Sequence, residues 1–240
     1  MVRLMTTPGL LEPKTTGARP LVSIGPPMIR IGVARALREM EDDPRFTAEI
    51  DRCIEELERR FVRPDLGAVL EEVAPDGSFV DHVEGRTLNP GHALEAAWFV
   101  LAEAGRRGGD AGLVALGERI VDLSWPWAWD DVHGGVLYFR DVLGKPVQEY
   151  WHDMKFWWPQ TEAIVATLMA HRLTGDPRYA GWHQQAHDWA YRHFPDREHG
   201  EWFGYLHRDG RISSTLKGNL WKGPFHLPRM QLIGWKLLEG

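Results

Sequence analysis

Two histidines stand in settings where an imidazole could do chemistry. His92 follows Pro90 and Gly91 in NPGHALEAAWF (residues 89–99). His226 follows Gly223, Pro224 and Phe225 in KGPFHLPRM (222–230). An imidazole titrates at about 6.5 when unperturbed, so it can take or give a proton near neutrality. Each histidine has a charged residue three positions on, Glu95 and Arg229. At that spacing two side chains share one face of a helix. Gly25, His92, Pro159 and His226 succeed one another at intervals of 67 residues, and Met28, Glu95, Glu162 and Arg229 follow each by three. Two imidazoles and two carboxylates therefore occupy equivalent points of a repeat, and acid–base catalysis is the chemistry they suit. Glu95 and Glu162 could also form the carboxylate pair of a glycoside hydrolase, but the two histidines would then have no role.

The elements that must position these residues recur with the same period. MEDDPRF, GGDAGLV and TGDPRYA place Asp43, Asp110 and Asp176 at intervals of 67 and 66, each between two helical stretches. Asp before Pro or a small residue is the grammar of a helix stop followed by a new N-cap. The second helix of each unit leads into a turn-rich stretch. There DDVHGGVLYF (130–139) matches DREHGEWFGY (196–205), pairing Asp130 with Asp196, His133 with His199 and Gly134 with Gly200. These stretches read as β-hairpins or ordered loops, and His133 and His199 as structural residues of turns. The pattern predicts an all-α toroid of inner and outer helices in which the inner helix starts converge on one mouth. Helix N-termini there supply partial positive charge and free N–H groups. At this period, 240 residues hold about three and a half units, whereas a closed ring of six hairpins needs about 400 residues.

Composition places the chain among ordinary globular proteins: 43% hydrophobic, 26% charged, net charge −6 with both signs mixed. No basic stripe points to nucleic acid. No apolar run approaches the roughly 20 residues of a membrane span, and the start lacks a signal-peptide pattern. Residues 1–18 read as a flexible arm ahead of one domain at 19–240. The single cysteine, Cys53, suits a reducing cytoplasm and reads as packing. Twelve tryptophans are many for this length. Most are expected in the core, with Trp158 and Trp221 as candidate stacking faces for a sugar. Lys217 and Lys222 read as solvated or loop-fixing. No metal site is expected: His183 and His187 lie four apart in HQQAH without the Glu of a zinc motif.

NPGHALEAAWF, MKFWWPQTEA, EHGEWFGYLHRDG and KGNLWKGPFHLPR, in that order, resemble the N-acylglucosamine 2-epimerase family from about Arg19 to the C-terminus. The resemblance implies an (α/α)6 barrel, of which this chain would be roughly the C-terminal half to 60%. It implies His92 and His226 as the catalytic pair, and Glu95, Trp158, Glu162 and Arg229 lining or supporting the sugar site. ATP enters as an effector that is not consumed, with no residues assigned to it; no cofactor is otherwise expected. Relatives acting on disaccharides carry a further His where this chain has Met28 in GPPMI, which favours the N-acylhexosamine branch. The expected reaction is inversion at C2 of an N-acylated hexosamine. Its alternatives are an aldose–ketose isomerase beginning with the same deprotonation, and an inactive truncated family member, a non-catalytic fragment or interaction protein. Half a toroid would expose apolar helix faces to a homodimer mate or a partner chain.

Overall fold

The computed structural model describes residues 19–239; the arm expected over 1–18 lies outside them. Among the described residues, seven long helices follow one another as hairpins. They are α1 (Gly25–Met40), α2 (Pro44–Arg60), α3 (Pro90–Arg106), α4 (Ala111–Ala128), α5 (Trp157–Thr174), α6 (Pro177–His193) and α7 (His226–Glu239). Each hairpin turns at one of the repeating aspartates. Asp43, Asp110 and Asp176 are N-caps whose carboxylates accept from the backbone N–H of Arg45, Leu113 and Arg178 at 2.8, 3.0 and 2.7 Å.

The helices sort into two layers by burial. Outer helix α2 is amphipathic, burying Ile50, Cys53, Ile54 and Leu57 at helical spacing and showing Arg and Glu to solvent. Inner helix α5 is enclosed on every side: all residues from Trp157 to Ala170 are buried. Inner helix α3 is nearly so. Within the inner layer α1 packs on α3, α3 on α5 and α5 on α7. Cys53 is buried, and burial pushes its thiol up to about 12, a state without nucleophilic use. Much of the tryptophan is core, as expected. Trp125 stacks between Trp129 at 5.4 Å and Trp182 at 4.9 Å, where α4 meets α6.

After each outer helix the chain makes the same narrow turn. Antiparallel pairing joins Val62 to Val69, Trp129 to Val136 and Pro195 to Trp202. The N–H groups of Leu70, Leu137 and Phe203 then return to the carbonyls of Phe61, Ala128 and Phe194 at 2.9, 2.8 and 2.9 Å. The first of these is a two-residue ladder, a hairpin; the other two are single bridges closed by a tight loop, the ordered-loop form of the same expectation. Gly134 and Gly200 hold φ of +71° and +72° there, a backbone that glycine adopts without strain. His133 and His199 are exposed turn residues, as read from the sequence.

A lysine clamps each of the last two turns. Lys155 donates to Asp130 Oδ2 at 3.0 Å and to the Gly135 carbonyl at 3.1 Å; Lys217 donates to Asp196 Oδ2 at 2.6 Å and to the Gly200 carbonyl at 2.9 Å. Lys222 takes the second of its two expected roles. It is buried, bonded to Glu201 and to the Lys217 carbonyl, so it fixes the loop without being solvated.

Short strands tie the turns to the inner helices: β1 (Val22–Ser23), β2 (Val62–Arg63), β3 (Ala68–Val69), β4 (Glu72–Val73), β5 (Thr87–Leu88), β6 (Arg140–Asp141), β7 (Lys155–Phe156), β8 (Tyr205–Leu206) and β9 (Ile212–Ser214). β1 pairs β4, β2 pairs β3, β5 pairs β6, and β7, β8 and β9 form a three-stranded sheet, all antiparallel. Strand β7 runs straight into α5 and so sets where Trp157 and Trp158 emerge.

Candidate active site

The starts of α3, α5 and α7 and the length of α1 border one open cavity of about 1430 Å³. Met28, His92, Glu95, Trp158, Trp221, His226 and Arg229 all line it. Glu162 does not: it lies behind the wall, fully enclosed.

Trp158 stands between the two histidines. Its ring centre is 5.0 Å from that of His92 and 5.5 Å from that of His226, tilted 35° to each. Gly91 makes the approach feasible, because a methyl group there would come within 2.5 Å of the Trp158 ring. The glycine of the NPGH stretch is thus a packing requirement of the site.

Each imidazole is gripped from behind by a carboxylate. His226 Nδ1 is 2.8 Å from Glu162 Oε1. His92 Nδ1 is 3.0 Å from both oxygens of Glu71. The side-chain amide of Asn89, the N-cap of α3, is 3.1 Å from the same nitrogen, but the charged carboxylate is the stronger claimant on its proton. Neither Nε2 has a protein partner among the described residues, and neither is a buried unpaired atom. With side chains 31% and 21% exposed, both rings offer Nε2 to the cavity.

The second charged cluster is centred on Arg229. Its Nη2 lies 2.5 Å from Glu95 Oε1 and 2.9 Å from Glu162 Oε1, and Trp98 Nε1 donates to Glu162 Oε2 at 2.7 Å. Burial opposes charge on Glu162, yet its bonds from His226, Arg229 and Trp98 hold its carboxyl below the usual range. Burial and the neighbouring Glu162 push Glu95 up, with Arg229 opposing. Burial also works against the His92 cation, but the Glu71 carboxylate outweighs it and the net is upward. Donor atoms of Glu95, Glu162 and His226 lie within 4.8 Å of one another, close enough for a small cation; the Arg229 guanidinium fills their common centre.

Glu95 lines the cavity and bonds Arg229. Glu162 supports the site from behind its wall, with its oxygens bonded to His226, Arg229 and Trp98. Trp158 is buried with one face on the cavity, whereas Trp221 stands 73% exposed at its rim. His183, on outer helix α6, bonds the Ile164 carbonyl at 3.0 Å, away from the cavity.

The sequence reading missed Glu71 and Tyr138. They are 67 residues apart and follow Leu70 and Leu137, the residues that close the first two turns. The repeat therefore has a second position aimed at the site, one residue beyond each turn, and its third occupant is Gly204. Tyr138 lines the cavity edge-on to Trp158 at 5.9 Å, and burial pushes its hydroxyl up to about 12. It is a neutral donor at physiological pH.

Comparison with known proteins agrees with this geometry. Residues 13–226 match the family described as N-acylglucosamine 2-epimerase (GlcNAc 2-epimerase). The N-acylglucosamine 2-epimerase of Bos taurus is 41% identical over 225 residues, covering 92% of this chain and 53% of the relative. Among solved structures, the cellobiose 2-epimerase of Spirochaeta thermophila superposes with a TM-score of 0.78 at 21% identity, covering 95% of this chain and 55% of that one. A D-mannose isomerase superposes at 0.76 with 18% identity, covering 94% and 56%. The fold is therefore that of the helical sugar epimerases and isomerases. The chain spans about half the length of the curated relatives it matches, and it belongs to the N-acylglucosamine 2-epimerase family.

Proposed function

We propose that this chain carries the proton-transfer machinery of a sugar 2-epimerase that interconverts N-acylglucosamine and N-acylmannosamine. One observation carries the reading: two imidazoles flank the Trp158 ring, each anchored at Nδ1 by a carboxylate and open at Nε2 to the same cavity.

The substrate enters as the ring-opened aldehyde. The Nε2 of one histidine takes the C2 proton, and the electron pair moves into C1, giving an enolate whose charge rests on the former carbonyl oxygen. The other histidine, carrying a proton on Nε2, delivers it to the opposite face of C2. The electrons return and the aldehyde re-forms with C2 inverted. Each imidazole needs Nδ1–H turned away from the sugar, which Glu71 and Glu162 provide. Tyr138 and Arg229 line the same cavity and can donate to the developing negative charge. No cofactor is consumed.

The inner arc of helices supports a finer reading of the fold as part of an (α/α)6 barrel. Its end helices leave apolar side chains exposed: Ile29, Leu37 and Met40 on α1, and Leu232, Trp235 and Leu238 on α7. We take these as faces that further helical hairpins cover, in a partner chain or a second copy. No helix among the described residues is long and apolar enough to cross a membrane, and a cytoplasmic setting is consistent with the free Cys53.

The decisive experiment incubates the chain in deuterated water with N-acetylmannosamine, mannose and glucose and follows each by proton NMR. Exchange at C2 with appearance of the N-acetylglucosamine epimer is the expected result. Ketose formation with label at C1 would instead assign an aldose–ketose isomerase. No exchange with any sugar, even after the apolar faces are covered by a partner, would end the catalytic reading.

A further inference from the structure

The two carboxylates behind the histidines are not equivalent. Glu162 is shared by three donors, from His226, Arg229 and Trp98. Glu71 has His92 as its sole ionic partner among the described residues, with both oxygens at 3.0 Å. Its backbone is fixed from two sides: its N–H donates to the Thr87 carbonyl at 3.3 Å, and its carbonyl accepts from Ile24 N–H at 3.0 Å. Glu71 thus joins the entry to α1 with the strand that leads into α3, and its side chain is aimed by both.

The other charged groups facing His92 are Glu95 on its own helix and Glu162 on α5. Both bond Arg229, whose single positive charge offsets part of theirs, whereas Glu71 faces no cation but His92 among the described residues. The remaining close neighbours, Asn89, Trp158 and Tyr138, are neutral at physiological pH. An unmatched negative charge on one ring nitrogen favours a proton on that ring.

Inversion by two bases imposes a condition on the pair. One imidazole removes a proton while the other delivers one, so the pair must hold one transferable proton before and after. With none it can only exchange, and with two it has no base. We propose that Glu71 is the positioning residue that meets this condition: it turns Nε2 of His92 to the cavity and keeps that ring loaded with the proton in the resting site. This rests on the epimerase reading for its purpose, but not for its test.

The test is nitrogen NMR of the [15N]histidine-labelled chain, with His92 assigned by loss of its signal in His92→Asn. Glu71→Gln keeps the shape and removes the charge. It is expected to lower the His92 titration midpoint by about 1–3 pH units. Above the midpoint, the wild-type ring is expected to carry its proton on Nδ1, the less common tautomer in solution. An unchanged midpoint in Glu71→Gln, or a neutral wild-type ring protonated on Nε2, overturns the proposal. The tautomer is read in the wild-type chain and needs no variant to fold. If the wild-type chain exchanges no sugar proton while both NMR results hold, the epimerase reading falls and the role of Glu71 in setting the His92 charge stands.

Discussion

His226 Nδ1 lies 2.8 Å from the Oε1 of Glu162, a residue 64 positions earlier in the chain and on a different inner helix. The carboxylate is wholly enclosed, and besides the imidazole it binds one indole and one guanidinium. A buried carboxylate so saturated is stable as an anion. It can therefore orient His226 without competing for the protons that the imidazole must pass.

Glu162→Gln tests that orientation. The amide can turn an N–H toward Nδ1 and reverse the tautomer, leaving Nε2 protonated when it should be a base. Because Glu162 is off the cavity wall, kcat should fall by about 10²-fold or more with KM little changed. A rise in KM at constant kcat, measured on the C2 exchange, would mean that the residue binds sugar after all.

Arg229→Met leaves Glu95 and Glu162 facing each other with no counter-charge. Burial and Glu162 already push Glu95 upward, and losing the guanidinium adds to this. The variant should lose about 3–5 kcal/mol at neutral pH. It should regain part of that on acidification, since a group with a raised folded pKa stabilises the fold when protonated. Urea titrations at two pH values measure both effects; wild-type stability at neutral pH would refute the ion cluster.

Gly91→Ala puts a methyl group 2.5 Å from the Trp158 ring. Overpacking of this kind costs about 1–3 kcal/mol. It should also tilt Trp158 away from His92, lowering C2 exchange more than the stability loss explains. Thermal unfolding and near-UV circular dichroism report the two consequences separately.

The pH dependence of stability follows from His92. Its folded value is raised, so it contributes stability that is fully present below the unfolded imidazole value of about 6.5. That contribution is lost as pH rises through the raised folded value. Subtracting the unfolding free energy of Glu71→Gln from that of the wild type should give a difference that shrinks with rising pH across this window. A flat difference would show that Glu71 and His92 are not coupled.

The sequence by itself determined the repeat, the hairpins and the two histidines. These are local or periodic facts: an Asp cap writes its helix start into neighbouring residues, and a 67-residue interval can be counted along the chain. Asp43, Asp110 and Asp176 cap where the pattern put them, and His92 and His226 reach one cavity. Tertiary structure alone decided who holds whom. Arg229 reaches Glu95 across 134 residues, and Glu71, one residue beyond the first turn and outside the helix starts that the repeat had marked, holds His92. Lys222 read as solvated or loop-fixing, and only the closed loop decided for the second. Ion pairs of this reach depend on where side chains end in space, and a carboxylate or lysine with no local partner looks the same in sequence whether it meets solvent or a buried opposite charge.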